Sequence, residues 1–261
     1  MAWNPELYDR FKDVRYQPFY DLANLIVRTE NMKAIDLGCG TGEQTNILSQ
    51  KFENADFVGV DSSAEMLEKS KRFENDRLHF RQSTIEQEVA LPTRYDLVFS
   101  NAALQWVDEH EVLFPQLMAL LDTGGQLAIQ MPVQKENILN QILAELVAEE
   151  PYASYLDNWS RDSPVLSMDD YAQLLFDHGL SNIQIFQKVY PIIAENHDAL
   201  YNFISGTSLI PYLDRLQGDE KQALVNEFKA QIAKRFTKLP AIYAFKRILI
   251  YGRKGELVAS G

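Results

Sequence analysis

Apolar positions along the chain fall into two alternating kinds of segment. Short runs, KAIDL (33–37), ADFVGVD (55–61), LHFRQ (78–82), YDLVFSN (95–101) and GGQLAIQMP (124–132), have the length and composition of strands. Between them lie stretches with helical spacing. GEQTNILSQKF sets Ile47, Leu48 and Phe52 on one side. SSAEMLEKSKRF opens on Ser62 and Ser63 as N-cap candidates, with Glu65 in the first turn. DEHEVLFPQLMALL is helical, with Pro115 as a kink or boundary. Five strands connected in this way predict a parallel, doubly wound sheet with helices on both faces. The regularity weakens after Pro132. Residues 135–181 read as mainly helical, NIQIFQKVYPI (182–192) as a strand, 196–236 as helices broken near LIPYLDRLQGD, and IYAFKRILIYGRK (242–254) as a closing strand. The expectation is a single α/β domain over 1–261 with about seven strands, mostly parallel. Residues 33–132 would form a ligand-binding core, and 133–240 a mainly helical cap for a substrate plus late strands.

The connection after the first strand is DLGCGTG, with Gly38, Gly40 and Gly42 at alternate positions. In open α/β sheets ligands bind at the carboxyl ends of the strands, where strand order reverses. A glycine turn there lets backbone approach a ligand, and the following helix N-terminus presents free N–H groups. Gly38 and Gly40 are the expected close-approach positions. Asp61, at the end of the second strand and 19 residues beyond Gly42, can take both hydroxyls of a ribose. The spacing departs from the dinucleotide fingerprint G-x-G-x-x-G, and Asp36 precedes the first glycine. A carboxylate there would repel a pyrophosphate and attract a cationic amino-acid tail. The Rossmann-like core therefore reads as a site for S-adenosylmethionine rather than NAD. Thr84 and Ile85, after the third strand, would line the adenine. Asn101 and Ala102, after the fourth, would sit near the reactive end.

Composition narrows the partners. A net charge of −12, from 25 basic and 37 acidic residues, disfavours nucleic acid and anionic lipid. No apolar run is long enough to span a membrane. The N-terminus, MAWNPELYDRFKD, is unlike a signal peptide, and Cys39 is the single cysteine, so a cytoplasmic protein without a disulfide is expected, monomeric or a small homo-oligomer. Cys39, within the glycine loop, reads as a small filler rather than a nucleophile. His79, His110, His178 and His197 lack metal-ligand spacing, so no metal is expected.

DLGCGTG, GVDSSAEML, YDLVFSNAALQWV and GGQLAIQMP occur in an order that resembles the class I S-adenosylmethionine-dependent methyltransferases. WNPELY, NAALQW, LFPQLMALLDTGGQLAIQMP and FKRILIYGRK are similar to the trans-aconitate methyltransferase branch, which esterifies small carboxylic acids. The resemblance adds Cys39, Gln44, Ser62 and Met66 to the cofactor residues. It implies a substrate site at Tyr8, Arg15, Gln105, Trp106 and Arg247. Two positions depart from the pattern. FRQSTIEQ carries Ser83 and Thr84 where many members hold adenine with an aspartate, and LIPYL carries Ile210 where an arginine stands in that branch.

An ionised carboxylic acid, with a pKa near ~4, needs no general base, so alignment and desolvation suffice and no certain catalytic residue is expected. A small hydroxyl or amine acceptor would call for a base, with Tyr8, His79 or His110 as candidates. A non-catalytic S-adenosylmethionine-binding module and a nicotinamide oxidoreductase are the rival classes, the latter disfavoured by loop spacing and Asp36. Trp106 reads equally as buried core or as a pocket lid.

Overall fold

A computed structural model of the chain describes residues 16–255. A first helix, α1, is described over 16–23. It is followed by β1 (Lys33–Leu37), α2 (Glu43–Lys51), β2 (Asp56–Asp61), α3 (Ala64–Ser70), β3 (Leu78–Gln82), α4 (Ile85–Val89), β4 (Tyr95–Asn101), α5 (His110–Ala119) and β5 (Leu121–Pro132). Then come α6 (Ile138–Val147), α7 (Tyr152–Tyr155), α8 (Met168–Asp177), β6 (Leu180–Ala194), α9 (His197–Ser205), α10 (Ile210–Leu213), α11 (Gly218–Arg235) and β7 (Ala241–Lys254).

The strands form one sheet in the order β3-β2-β1-β4-β5-β7-β6. β1 to β4 pair in parallel, as does β4 with β5, whereas β7 runs antiparallel to β5. Ala34, Ile35 and Leu37 of β1 and Leu97, Val98 and Phe99 of β4 are wholly buried, although successive residues point to opposite faces. Burial on both faces explains why these segments read as continuous apolar runs. Strand order reverses between β1 and β4, so the ligand crevice of this fold lies at their carboxyl ends. The Ser100 hydroxyl ties the two strands there by donating to the Leu37 carbonyl at 2.8 Å.

β5 starts earlier than its Gly-Gly pair suggests. Tyr95 pairs with Leu121, and the register shifts before Leu97 pairs with Gln126. Gly124 adopts φ +79°, and a Cβ on Gly125 would stand 2.9 Å from the Tyr95 and Asp122 carbonyl oxygens. The pair is thus an irregularity inside the strand and not a turn before it. Pro115 lies within α5, which continues through it.

Two compact units divide the chain. Of the described residues, one comprises those through Pro132, Pro164–Lys188 and those from Arg247 on; the other comprises Val133–Ser163 and Val189–Lys246. α8 belongs to the first unit, where the Tyr171 ring stacks 4.7 Å from Phe114 of α5. The second unit holds α6, α7, α9, α10 and α11, whose buried Leu143, Leu146, Leu200, Ile204, Leu224 and Phe228 supply its own apolar interior. Ile210, at the start of α10, is 43% exposed. Among the described residues no helix is long and apolar enough to cross a membrane.

Candidate active site

The glycine loop leaves β1 with three left-handed residues, each for a different neighbour. Gly38 has φ +79°, and a Cβ there would fall 2.2 Å from the Ala103 Cβ. Gly42 has φ +73°, and its Cβ would strike the Phe80 ring at 2.6 Å and Ser70 at 2.7 Å. Gly40, at φ +56°, has nothing within 4 Å of that position. At Gly38 the Cβ position is taken by the chain's own loop after β4, whereas at Gly40 it is open. The Gly38 and Cys39 amides both donate to the Val60 carbonyl, which pins the loop to β2.

Asp61 ends β2 with both carboxylate oxygens anchored. Oδ2 accepts from the Gly40 amide and Oδ1 from the Ser63 amide, each at 2.9 Å. Each oxygen has a further lone pair, which leaves an oriented carboxylate able to accept two more donors. Ser63, not Ser62, is the N-cap of α3, accepting from the Met66 amide; Ser62 is exposed and its carbonyl accepts from Gln82. Met66 is 40% exposed in the first turn of α3.

Asp36 is buried, and its Oδ2 accepts from the Thr45 hydroxyl at 2.6 Å. Burial pushes its carboxyl up to about 7, against the lowering by Thr45, and the nearby Asp61 charge adds to the rise. Burial, with Asp36 and Asp61 close by, also pushes the Cys39 thiol well above its usual range, which suits the filler reading. Thr84 is committed to α4: its hydroxyl accepts from the Gln87 amide while the Gln87 side chain accepts from the Thr84 amide. Ile85 follows it, half-buried, as the first residue of that helix.

Beyond β4 the backbone turns sharply. Ala102 holds φ +58°, unusual for a residue with a Cβ, and its amide donates to the Gln130 carbonyl. Asn101 Nδ2 donates to Gln44 Oε1 at 2.9 Å, joining β4 to α2. Gln105 Nε2 donates to the Ala102 carbonyl at 2.7 Å. Asn101 Oδ1 and Gln105 Oε1 are buried and have no hydrogen-bond partner among the described residues. Trp106 is 40% exposed, which rules out the buried-core reading. Arg247, on β7, reaches β5 and donates from Nη1 to Gln130 Oε1 at 2.6 Å. Tyr8 and Arg15 lie outside the described residues.

His110 is corrected as a base. It is wholly buried, with Nε2 3.0 Å from the Leu104 carbonyl and Nδ1 2.5 Å from the Tyr171 hydroxyl. The carbonyl requires an N–H on Nε2, so Nδ1 accepts from Tyr171, whose oxygen accepts from the Leu166 amide. Burial lowers the imidazole pKa. The ring holds the 104–106 turn in place. His79 and His178 are exposed, and no group of residues suited to a metal ion occurs among those described.

Gln130 is the residue that motif reading missed. Its signal was a lone buried amide within LAIQMP, on a strand otherwise apolar at that depth. Taken together, the open Gly40, the oriented Asp61 and the unpartnered buried oxygen of Asn101 fit a nucleoside that carries a cationic tail. Fold and site thus define a Rossmann-like group-transfer enzyme of the S-adenosylmethionine-using class.

The comparisons agree. The sequence model of the methyltransferase domain family matches residues 28–196. A trans-aconitate 2-methyltransferase of Deinococcus radiodurans is 36% identical over 98% of this chain and 100% of its own. The enzyme of that name from Variovorax paradoxus is 33% identical over 97% and 99%. Among solved structures, the YcgJ protein of Bacillus subtilis superposes with a TM-score of 0.59 at 16% identity, over 92% of this chain and 99% of that one. Phosphoethanolamine N-methyltransferase 2 of Haemonchus contortus, solved with S-adenosyl-L-methionine, gives 0.56 at 16% identity over 92% and 52%. The chain belongs to the S-adenosylmethionine-dependent methyltransferases, in the family of the trans-aconitate 2-methyltransferases.

Proposed function

We propose that the enzyme methylates one carboxylate of a small polycarboxylic acid of the trans-aconitate kind, forming a methyl ester. The observation that carries this reading is Arg247, a guanidinium fixed by Gln130 at the carboxyl end of β5, beside the strand that ends in Asn101. The names of the relatives point the same way. Asp61 would hold the ribose, Gly40 would give backbone access, and Asn101 and Gln44 would face the methionine end. Thr84 and Ile85 would border the adenine. When bound, S-adenosylmethionine would supply a methyl group activated by its sulfonium, whose transfer to an ionised carboxylate oxygen breaks the S–CH3 bond, releases S-adenosylhomocysteine as a neutral thioether and needs no base. The chain's own residues orient and desolvate. Arg247 fixes an anionic group, and the Tyr171–His110–Leu104 chain holds the turn that bears Gln105. Fixed alignment of this kind is worth on the order of 7 kcal/mol or more of the barrier. The acidic surface makes such a local cation necessary for an anionic substrate and disfavours nucleic acid or anionic membrane as partner, in keeping with a cytoplasmic reaction on a free metabolite.

The test is a product-mass screen of small acids with purified enzyme and S-adenosylmethionine, followed by kinetics of Arg247→Met. Loss of one charge-assisted pair, about 1.5–3 kcal/mol, should raise KM by roughly tenfold or more and leave cofactor affinity alone. Methylation of amines or phenols only, or wild-type kinetics in Arg247→Met, would overturn the reading.

A further inference from the structure

Gln130 lies in the middle of the sheet, wholly buried, directly opposite Asn101 in the β4–β5 register. Its Oε1 accepts from Arg247 Nη1 at 2.6 Å. That contact decides the orientation of the amide, because the reverse orientation would set N–H groups against N–H groups. Nε2 is then left buried with no hydrogen-bond partner among the described residues. Asn101 Oδ1, one strand away, is an equally unpartnered acceptor, yet the two do not bond each other. Buried amide groups without partners are rare in folded proteins, and two facing side chains in that state mark a place completed by a ligand. Asn101 Oδ1 and Gln105 Oε1 offer acceptors, suited to the cationic end of the cofactor. Gln130 Nε2 and Arg247 offer donors, suited to an anion.

We propose that Gln130 is a substrate-binding residue: its Nε2 donates to a carboxylate of the acceptor while its Oε1 sets the Arg247 guanidinium against the same carboxylate. This rests on the carboxylate reading of the site. It adds a specificity element, since an amide donor and a guanidinium side by side fit a planar, two-oxygen anion better than a hydroxyl or an amine.

Gln130→Glu keeps an oxygen for Arg247 and replaces the donor by a second carboxylate oxygen. In this variant KM for the best acid should rise by about 30-fold or more, because a donor is lost and a like charge is introduced. Calorimetric affinity of the acid for enzyme loaded with S-adenosylhomocysteine should fall in parallel. Affinity for S-adenosylhomocysteine itself should stay within about threefold of wild type. Replacing one acid group of the substrate by a primary amide should recover part of the loss in Gln130→Glu and none in Arg247→Met. Gln130→Met, of similar volume and uncharged, should raise KM roughly tenfold and carries the test if thermal unfolding shows that Gln130→Glu does not fold. A rise in Gln130→Met beside a wild-type Gln130→Glu would reduce Gln130 to a support for Arg247 and overturn the contact. Wild-type behaviour in both Gln130 variants, with Arg247→Met impaired, overturns the Gln130 assignment and leaves the carboxylate reading standing. Wild-type behaviour in all three overturns both.

Discussion

Asp61→Asn separates the ribose role proposed for this carboxylate from its role inside the protein. In the structure its two oxygens each accept a backbone N–H at 2.9 Å, from Gly40 and Ser63. Asparagine offers one oxygen, so either Gly40 or Ser63 is left facing an NH2 group. The loss of a charge-assisted bond should lower stability by about 1.5–3 kcal/mol. Ribose binding loses charge as well, at about the same magnitude for each hydroxyl that donates to the carboxylate. At ~1.4 kcal/mol per decade, S-adenosylmethionine affinity should fall at least about tenfold, and beyond a hundredfold if both hydroxyls are held. The assay is calorimetric titration of wild type and Asp61→Asn, with chemical denaturation to establish that the variant is folded at the working temperature. A 2′-deoxy cofactor analogue completes a double-mutant cycle: wild type should lose affinity for it, and Asp61→Asn should lose much less. A folded Asp61→Asn protein that binds the cofactor within threefold of wild type, or a cycle with no coupling, would refute the ribose assignment and leave Asp61 as a loop anchor.

Three further expectations follow from the same geometry. Gly38→Ala meets Ala103 at 2.2 Å and should lower stability by about 2 kcal/mol or more by overpacking, whereas Gly40→Ala should lose only about 1–2 kcal/mol to left-handed strain and should weaken cofactor binding instead; denaturation and calorimetry on both variants check the contrast. Thr84→Val should remove the α4 cap and cost about 1 kcal/mol in unfolding free energy. Asp36, with its folded pKa at about 7 against 3.8 unfolded, keeps a proton in the native state that the unfolded chain releases, so its contribution to stability falls as pH rises between the two values and is level above them. The advantage of Asp36→Asn over wild type in thermal unfolding should therefore grow from pH 4 to pH 7, by on the order of 4 kcal/mol in total, and a flat difference would show that Asp36 does not titrate in this window.

Much of this protein was legible in one dimension. β1 to β5 and the helices α2, α3 and α5 follow from local periodicity, because a strand buried on both faces must read as an apolar run and an exposed helix must keep one apolar side, whereas the five-residue α4 is too short to show a period. The glycine loop and Asp61 were equally visible, since both belong to one strand–turn–helix–strand unit whose geometry is set within about 30 residues. What sequence could not decide depends on partners far along the chain. Gly38 and Gly42 are glycines because Ala103 and Phe80 arrive against them, and nothing in DLGCGTG announces either neighbour. His110 carries the marks of a base until Tyr171, 61 residues later, is found donating to it. Gln130 acquires meaning only when β7 runs back antiparallel beside β5 and delivers Arg247 across 117 residues of chain. Short-range sterics and hydrophobic spacing set the elements; the sheet order, with β7 beside β5, determines which buried polar groups meet.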